Sequence, residues 1–366
     1  MGAVRTAGLW IIGSQNLIRS VINRCVPCRR LRGKPLTQVM ADLPVDRVTA
    51  TPPFTNVGMD IFGPWTIVTR KTRGGTSDSK RWAVLFTCLY SRAIHVEVIE
   101  SMDTCAFISA YRRFVAIRGP VSKLRCDRGT NFVGAKNELD EAFDRMDREQ
   151  VVSYLTSQRC QWVFNPPHAS HFGGVWERQI GTVRRVLDAM FLQLGKHQLT
   201  HEILVTFMAE ACAIVNSRPL GTVSSDANDP QAISPSMLLT LKPQQLQPPP
   251  GDFVEKDLYG RRRWRRVQYL ADQFWIRWKK EYIQSLQPRR KWPVVHPDIC
   301  NGDVVLLHDK ELPRCQWPLA RVSEVHPSSD GRVRKADVTT CSGGTRRTYL
   351  RPISELTLIE KASVPD

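Results

Sequence analysis

Three acidic residues stand in local sequences where a buried core would not place a carboxylate. Asp60 and Asp127 lie at the ends of apolar, strand-like runs, and Glu177 lies near the start of an amphipathic helical pattern. A fold can bring such distant carboxylates together, and their oxygens are the ligands that Mg²⁺ prefers. Two metal ions about 3.5–4 Å apart stabilise the attacking and leaving oxygens of a phosphodiester. The three acids therefore predict metal-ion chemistry on phosphodiesters.

The sequence around these acids contains further motifs. Asp127 begins the run Asp-Arg-Gly-Thr-Asn-Phe, and Glu177 is the centre of Trp-Glu-Arg. Between them, Asn-Pro-Pro at 165–167 leads to His-Phe-Gly-Gly at 171–174. Together these motifs resemble the catalytic core of retroviral-type integrases, the D,D,E transferases, and most closely the integrases of BEL/Pao-type LTR retrotransposons. The resemblance extends from about Cys25 to the C terminus.

The resemblance implies an α/β fold with four parts. An RNase H-like mixed five-stranded sheet flanked by helices is followed by a helical linker region and a small SH3-like β-barrel. The expected parts are a truncated zinc-binding (HHCC-type) remnant at 1–40, the integrase catalytic core at 50–220, a linker at 221–260, and a basic helix plus barrel at 261–360.

Local patterns predict the individual elements. Three antiparallel strands are expected at Phe54–Ile61, Trp82–Tyr90 and Ala93–Ile99, with a polar loop at Arg70–Lys80, and shorter strands at Leu124–Asp127 and Gln161–Phe164. Helices are expected at Gln15–Asn23, Asp103–Ile117, Asn137–Tyr154, Gly174–Phe191, His201–Ser217 and Arg261–Gln287. The barrel strands are expected at Val304–His308, Trp317–Val325, Val333–Thr340 and Thr345–Leu350. Helical spacing favours burial of two of the three tryptophans Trp264, Trp275 and Trp278.

The resemblance also implies an activity, cofactors and partners. Asp60 would bridge two Mg²⁺ (or Mn²⁺) ions, with Asp127 completing one site and Glu177 the other. The implied reaction is 3′-end processing of donor DNA, followed by attack of the new 3′-hydroxyl on target DNA. The expected partners are therefore DNA, as donor ends and as target, and further copies of the chain in a homo-oligomer on DNA.

Seven other residues are candidates for DNA contact. They lie in the core motifs, on the helix of Glu177, and in a run that resembles the C-terminal domain of BEL/Pao integrases: Asn131, His171, Arg178, Arg184, Arg185, Arg263 and Arg265. Helical spacing puts Glu177 and Arg184 on one exposed face. A helix cap at Asn131 or a solvated basic face would explain these residues nearly as well. Gly181 departs from the resemblance, since the retroviral motif has lysine there.

The charge of the chain indicates a polyanionic partner. Its formal net charge is +17, and residues 1–41 carry seven Lys/Arg and no acidic residue, while residues 251–292 carry twelve against five. Basic residues that neutralise phosphates release condensed counterions, which drives binding to nucleic acid. For either run alone, a solvated face is the alternative. No stretch approaches the roughly 18 apolar residues of a membrane helix. We therefore expect an intracellular protein without a membrane partner. Within the cell, we expect it in the nucleus.

Cys25 and Cys28 form half of a possible zinc site. Zinc requires four ligands, and integrase N-terminal domains supply two His upstream of the two Cys. The chain has no His before His95. We therefore do not predict bound zinc, and two thiols without metal are the alternative.

Two other functions remain open from the sequence. A truncated or host-adopted copy would be a nucleic-acid-binding protein without strand-transfer activity, and the incomplete zinc module favours this reading. An RNase H-like nuclease that cuts RNA in hybrids is disfavoured, because such sites usually use an additional acid. The presence of all three acids favours the transferase.

The charge distribution predicts that DNA affinity falls steeply as salt rises. Each neutralised phosphate releases counterions, so log K should decrease linearly with log salt concentration, with a slope of about −0.9 per contact on duplex DNA. A binding titration over several NaCl concentrations measures the slope. Affinity that does not change with salt would contradict the phosphate contacts.

Overall fold

The structure is a computed structural model that describes residues 6–8, 12–27, 44–72, 75–126, 148–164, 174–193, 199–222, 232–242, 247–286, 298–308, 312–342 and 345–362. The chain divides into two compact units, Met1–Pro44 and Val45–Asp366. The described part of the first unit contains helix α1 (Ser14–Arg24), which confirms the helix predicted there. None of the residues of α1 is buried.

The second unit contains a mixed five-stranded sheet. Its strands are β1 (Asn56–Thr72), β2 (Gly75–Cys88), β3 (Ile94–Ile99), β4 (Lys123–Cys126) and β5 (Gln161–Phe164), in the order β3-β2-β1-β4-β5. The first three form an antiparallel meander, β4 pairs in parallel with β1, and β5 pairs in parallel with β4. This is the predicted RNase H-like arrangement, in which β1 is central and β4 lies beside it.

Helices cover both faces of this sheet. They are α2 (Val45–Val48), α3 (Thr104–Arg118), α4 (Arg148–Ser157), α5 (Gly174–Gln193), α6 (His201–Asn216), α7 (Pro235–Thr240) and α8 (Arg263–Leu286). Asp103 caps α3 and Thr200 caps α6, each by accepting a backbone N–H with its side chain. One apolar cluster joins the sheet to α3 and α4, and another joins its opposite face to α5, α6 and α8. The two faces of β1 therefore bury different sets of side chains.

A second, antiparallel sheet forms the C-terminal barrel. Its strands are β8 (Val304–Leu307), β9 (Leu319–Pro327), β10 (Val333–Ser342), β11 (Thr345–Pro352) and β12 (Leu356–Glu360), in the order β11-β10-β9-β8-β12. A 3₁₀ helix, Ile353–Glu355, connects β11 to β12. Its core contains small and β-branched side chains such as Val305, Ala320, Val322 and Val338. The predicted SH3-like β domain is confirmed.

One sequence expectation about strands was wrong, and one strand was missed. The expected loop Arg70–Lys80 is the end of a long hairpin, in which β1 and β2 stay paired as far as Thr72 and Gly75. Polar side chains pair across the strands here: the hydroxyls of Thr69 and Ser79 lie 2.6 Å apart. Strand β12 was not predicted, because it is defined by its pairing with β8 and not by a local pattern.

Two further expectations concern less regular segments. The range expected as a linker, 221–260, contains the short strands β6 (Gly221–Thr222) and β7 (Ala232–Ile233), helix α7 and a 3₁₀ helix at Glu255–Leu258. The helix expected at Asn137–Tyr154 overlaps α4 from residue 148 onward, and its earlier part lies outside the described residues.

Helix α8 joins the core to the barrel. Trp278 is 2% and Trp275 5% exposed, whereas Trp264 is 50% exposed, so the prediction of two buried tryptophans is confirmed. The ring of Trp278 stacks on Phe274, at 6.2 Å between centroids. Trp275 contacts Trp317 edge to face at 4.8 Å, just before strand β9. One helix therefore contributes to the packing of both parts. Within the described part of the chain, no helix has the length and apolarity needed to cross a membrane.

The burial of α8 predicts unequal effects of the same substitution at two of its tryptophans. Trp278→Ala should lower the free energy of unfolding by about 3–5 kcal/mol, because it leaves a large cavity in the core. Trp264→Ala should cost about 1 kcal/mol or less, because that ring is half exposed. Urea denaturation of both variants measures the difference, and equal costs would contradict the packing.

Candidate active site

Asp60 lies on β1, on the sheet face that α5 covers. Its neighbours Met59 and Ile61 are buried against the opposite face, with α3 and α4. The side chain of Asp60 is 33% exposed. Its Oδ1 accepts the backbone N–H of Ile61 at 3.0 Å, and its Oδ2 lies 3.5 Å from Nη1 of Arg184. The carboxylate is therefore oriented by its own strand and faces a cation on α5.

Strand β1 has a bulge shortly after Asp60. The pairing register of β1 with β2 shifts between Phe62 and Trp65. Gly63 lies in that bulge with a φ of 114°, and a Cβ there would lie 3.0 Å from the carbonyl oxygen of Arg81. A glycine is needed at this position both for its conformation and for space. Gly63 thus shapes strand β1 beside the candidate site.

Arg184 is held between two carboxylates. Its Nε lies 3.8 Å from Oδ2 of Asp188, one turn further along α5. Asp188 Oδ1 accepts the indole N–H of Trp65 at 3.3 Å. Burial raises the pKa of Asp188, and the Arg184 guanidinium and the Trp65 N–H oppose that rise. The expectation that Arg184 lies on an exposed face was wrong: the residue is 8% exposed, because α5 turns it toward the sheet and Asp60.

The end of β4 lies beside Asp60. The parallel pairing of β1 and β4 runs in register up to Met59 and Cys126. Asp127 is the next residue in the sequence and lies outside the described residues. The strands that lead to Asp60 and Asp127 are therefore direct neighbours at the same level of the sheet.

Two contacts hold the end of β4 in place. Asp46, which is buried in α2, accepts hydrogen bonds from Nε and Nη2 of Arg125 at 2.9 and 2.6 Å. The same carboxylate lies 3.4 Å from Nζ of Lys123. On the next strand, the indole N–H of Trp162 donates to Sγ of Cys126 at 2.9 Å. The strand is thus fixed on both sides immediately before the second acid.

Glu177 lies on α5, two turns before Arg184. Residues 177, 181, 184 and 188 share one stripe of the helix. Because Arg184 and Asp60 face each other, this is the stripe that α5 turns toward β1. The side-chain atoms of Glu177 lie outside the description. Gly181 lies between Glu177 and Arg184 in the sequence. A Cβ added there would meet nothing within 4 Å, so packing does not explain the glycine.

The described residues alone do not complete a metal site. Among them, no group of three or more His, Cys, Asp or Glu side chains could hold a metal ion. Of the three predicted ligands, only the Asp60 side chain belongs to this set. Asp60 lies on β1 beside the described end of β4 at Cys126, and it faces Arg184 of α5.

The predicted DNA contacts have different surroundings. Arg178 is exposed on α5. Arg185 pairs with Glu281 of α8 at 2.9 Å, and Arg263 pairs with Glu202 at 2.6 Å. Arg265 pairs with Asp257 at 2.7 Å. A guanidinium has five N–H donors, so contact with a phosphate does not require these three arginines to give up their carboxylates.

The remaining candidates lie partly or wholly outside the described residues. Asn131, His171 and Cys28 fall in segments that the structure does not describe. Cys25 follows α1 directly and carries a free thiol.

Sequence reasoning missed two acids near the site. Asp188 could have been found from its i,i+4 spacing to Arg184, which is a common spacing for an ion pair on a helix. Asp46 had no such signal, because its partner Arg125 is 79 positions away.

Comparison with known proteins gives a partial family match. The model of a family of unknown function (DUF5641) matches residues 262–359, which contain α8 and the barrel. No curated protein matches the chain.

Solved integrase structures are among those that the chain resembles. A simian T-cell lymphotropic virus intasome, in complex with the PP2A regulatory subunit B56 gamma, contains a chain with 14% identity and a TM-score of 0.34, covering 100% of this chain and 95% of that one. The trimeric HTLV-2 integrase catalytic core domain with magnesium has 14% identity and a TM-score of 0.32, covering 52% and 99%. The dimeric form has 17% identity and a TM-score of 0.29, covering 48% and 93%. Sequence identities and TM-scores this low carry no argument about function.

The contact between Asp46 and β4 predicts a loss of stability when its charge is removed. Asp46→Asn should lower the free energy of unfolding by about 1.5–3 kcal/mol, because Arg125 loses a charge-assisted partner. The matched control is Asp330→Asn, which breaks the solvent-exposed pair with Arg334 and should cost about 0.5 kcal/mol or less. Chemical denaturation of both variants measures the difference, and a neutral Asp46→Asn would contradict the bracing role.

Proposed function

We propose that this chain is a metal-dependent DNA strand transferase of the retroviral-integrase type, derived from a BEL/Pao-type LTR retrotransposon. The observation that carries the proposal is the position of Asp60 on the central strand. It faces the stripe of α5 that carries Glu177 and lies beside the end of β4, after which Asp127 follows. A D,D,E set needs its three acids on these three elements of an RNase H-like sheet.

The part of the site that the structure describes fits a divalent metal. Asp60 presents a hard carboxylate oxygen that is partly exposed, and a cation, the Arg184 guanidinium, already stands 3.5 Å from it. Asp60, Asp127 and Glu177 would hold two Mg²⁺ or Mn²⁺ ions. When bound, such ions stabilise the charge on the attacking and leaving oxygens of a phosphodiester.

The protein's own residues would orient the reactants. The N–H of Ile61 holds one oxygen of Asp60, which fixes the direction of the carboxylate. Arg178, which is exposed and follows Glu177 in the sequence, would contact a DNA phosphate. The net charge of +17 would attract DNA to the protein as a whole. On this proposal the protein acts in the nucleus, as a homo-oligomer that gathers two donor ends.

Isosteric removal of the acidic charges tests the proposal. Asp60→Asn, Asp127→Asn and Glu177→Gln should each reduce strand transfer on the order of 10³-fold or more, because residues that act as a unit fail together. DNA binding should largely persist, since the basic residues are unchanged. The assay measures joining of a labelled donor end to target DNA in Mg²⁺, alongside a DNA-binding titration.

The control is Asp337→Asn, which removes a barrel carboxylate whose partner is His326 and should leave strand transfer unchanged. Equal transfer by the Asp127→Asn variant and the parent protein would refute the assignment. DNA binding by the parent protein without any strand transfer would instead identify a nucleic-acid-binding protein that is catalytically inactive.

A further inference from the structure

Arg184 lies between two carboxylates. Its Nη1 lies 3.5 Å from Asp60, and its Nε lies 3.8 Å from Asp188. Some other arginines of the described chain lie closer to a single acid: Arg125 lies 2.6 Å from Asp46, and Arg185 lies 2.9 Å from Glu281. The guanidinium of Arg184 is therefore within ion-pair distance of two acids, at longer distances than in these single pairs.

The two acids that share Arg184 differ in how they are held. Asp188 accepts the indole N–H of Trp65, and Trp65 is buried against Phe62 and Phe191 in the core. Asp60 accepts the N–H of the next residue on its own strand with Oδ1, while its Oδ2 faces Arg184. The core therefore fixes Asp188 as a stationary anion, while Asp60 belongs to the candidate metal site.

A metal ion and Arg184 would compete for the same carboxylate. Both are cations, so they would repel each other at a shared carboxylate. Asp188 lies on the same helix one turn away, so a small movement of the guanidinium would keep it paired after it leaves Asp60. The structure thus offers Arg184 two positions, one at each acid.

From this geometry, and resting on the proposed function, we infer that Arg184 is a resident counter-ion of the metal site that opposes metal loading. Arg184 neutralises Asp60 until a divalent ion takes its place, and Asp188 then retains the displaced guanidinium. Arg184 and Asp188 are positioning residues, which set how readily Asp60 accepts a metal without binding the metal themselves.

The test is Mn²⁺ binding to the full chain without DNA, measured by isothermal titration calorimetry with MnCl₂ alone. Arg184→Gln removes the competing charge and should bind Mn²⁺ at least about fivefold more tightly, the low end of typical coupling between binding events. Asp188→Asn removes the alternative anchor and should bind Mn²⁺ more weakly than the parent protein. The double variant should resemble Arg184→Gln, because the anchor has no effect once the guanidinium is gone.

The matched control is Arg185→Gln, which removes the same charge from the next residue of α5, where the partner is Glu281. Its Mn²⁺ affinity should stay within about twofold of the parent protein. Damage to the fold would weaken Mn²⁺ binding, so tighter binding is a result that a merely structural role does not produce. If Arg184→Gln does not fold, Arg184→Met should still bind Mn²⁺ more tightly, because methionine removes the charge and keeps an apolar stem of similar length for packing.

Unchanged or weaker Mn²⁺ binding by the folded Arg184 variant would overturn the inference. An additional variant separates this failure from that of the proposed function. If Asp60→Asn binds Mn²⁺ as tightly as the parent protein, the metal assignment itself fails. If Asp60→Asn loses binding while the Arg184 variant shows no gain, only the counter-ion role fails.

Discussion

The parallel pairing of β1 with β4 is the constraint on which the candidate site depends. The register from Asn56 and Lys123 to Met59 and Cys126 brings two distant segments to the same level of the sheet. Asp60 follows Met59 within β1, and Cys126 is the last residue of β4. A shift of one residue would turn Asp60 to the opposite face. The apolar side chains on both faces of β1 therefore determine where its carboxylate points.

Charge compensation is the second requirement of the site. A buried or half-buried carboxylate needs a partner, and the chain supplies arginines for this purpose. Arg184 faces Asp60 from α5, and Arg125 on β4 is neutralised by Asp46 of α2. Helix α8 packs in the same apolar cluster as α5 and α6 and so helps to hold α5, which carries Arg184. Packing and electrostatics thus fix the same few elements.

The sequence predicted the elements better than their mutual contacts. The core strands and helices follow from apolar periodicity, because that signal is local. The partners of Asp60 and Asp46 could not be predicted, because Arg184 and Arg125 are 124 and 79 positions away. The hairpin at 70–80 was mistaken for a loop, since a solvated strand and a loop share polar composition. Strand β12 depends on tertiary pairing with β8 in the same way.

The account's central claim is that Asp60 belongs to a shared metal site between β1, the end of β4 and α5. Anomalous diffraction from crystals of the full chain grown with Mn²⁺ tests this most directly. The account predicts Mn²⁺ at coordination distance from the Asp60 carboxylate, about 2.0–2.3 Å, with Asp127 and Glu177 as further ligands. Ordered Mn²⁺ bound elsewhere, with Asp60 still paired to Arg184, would contradict it.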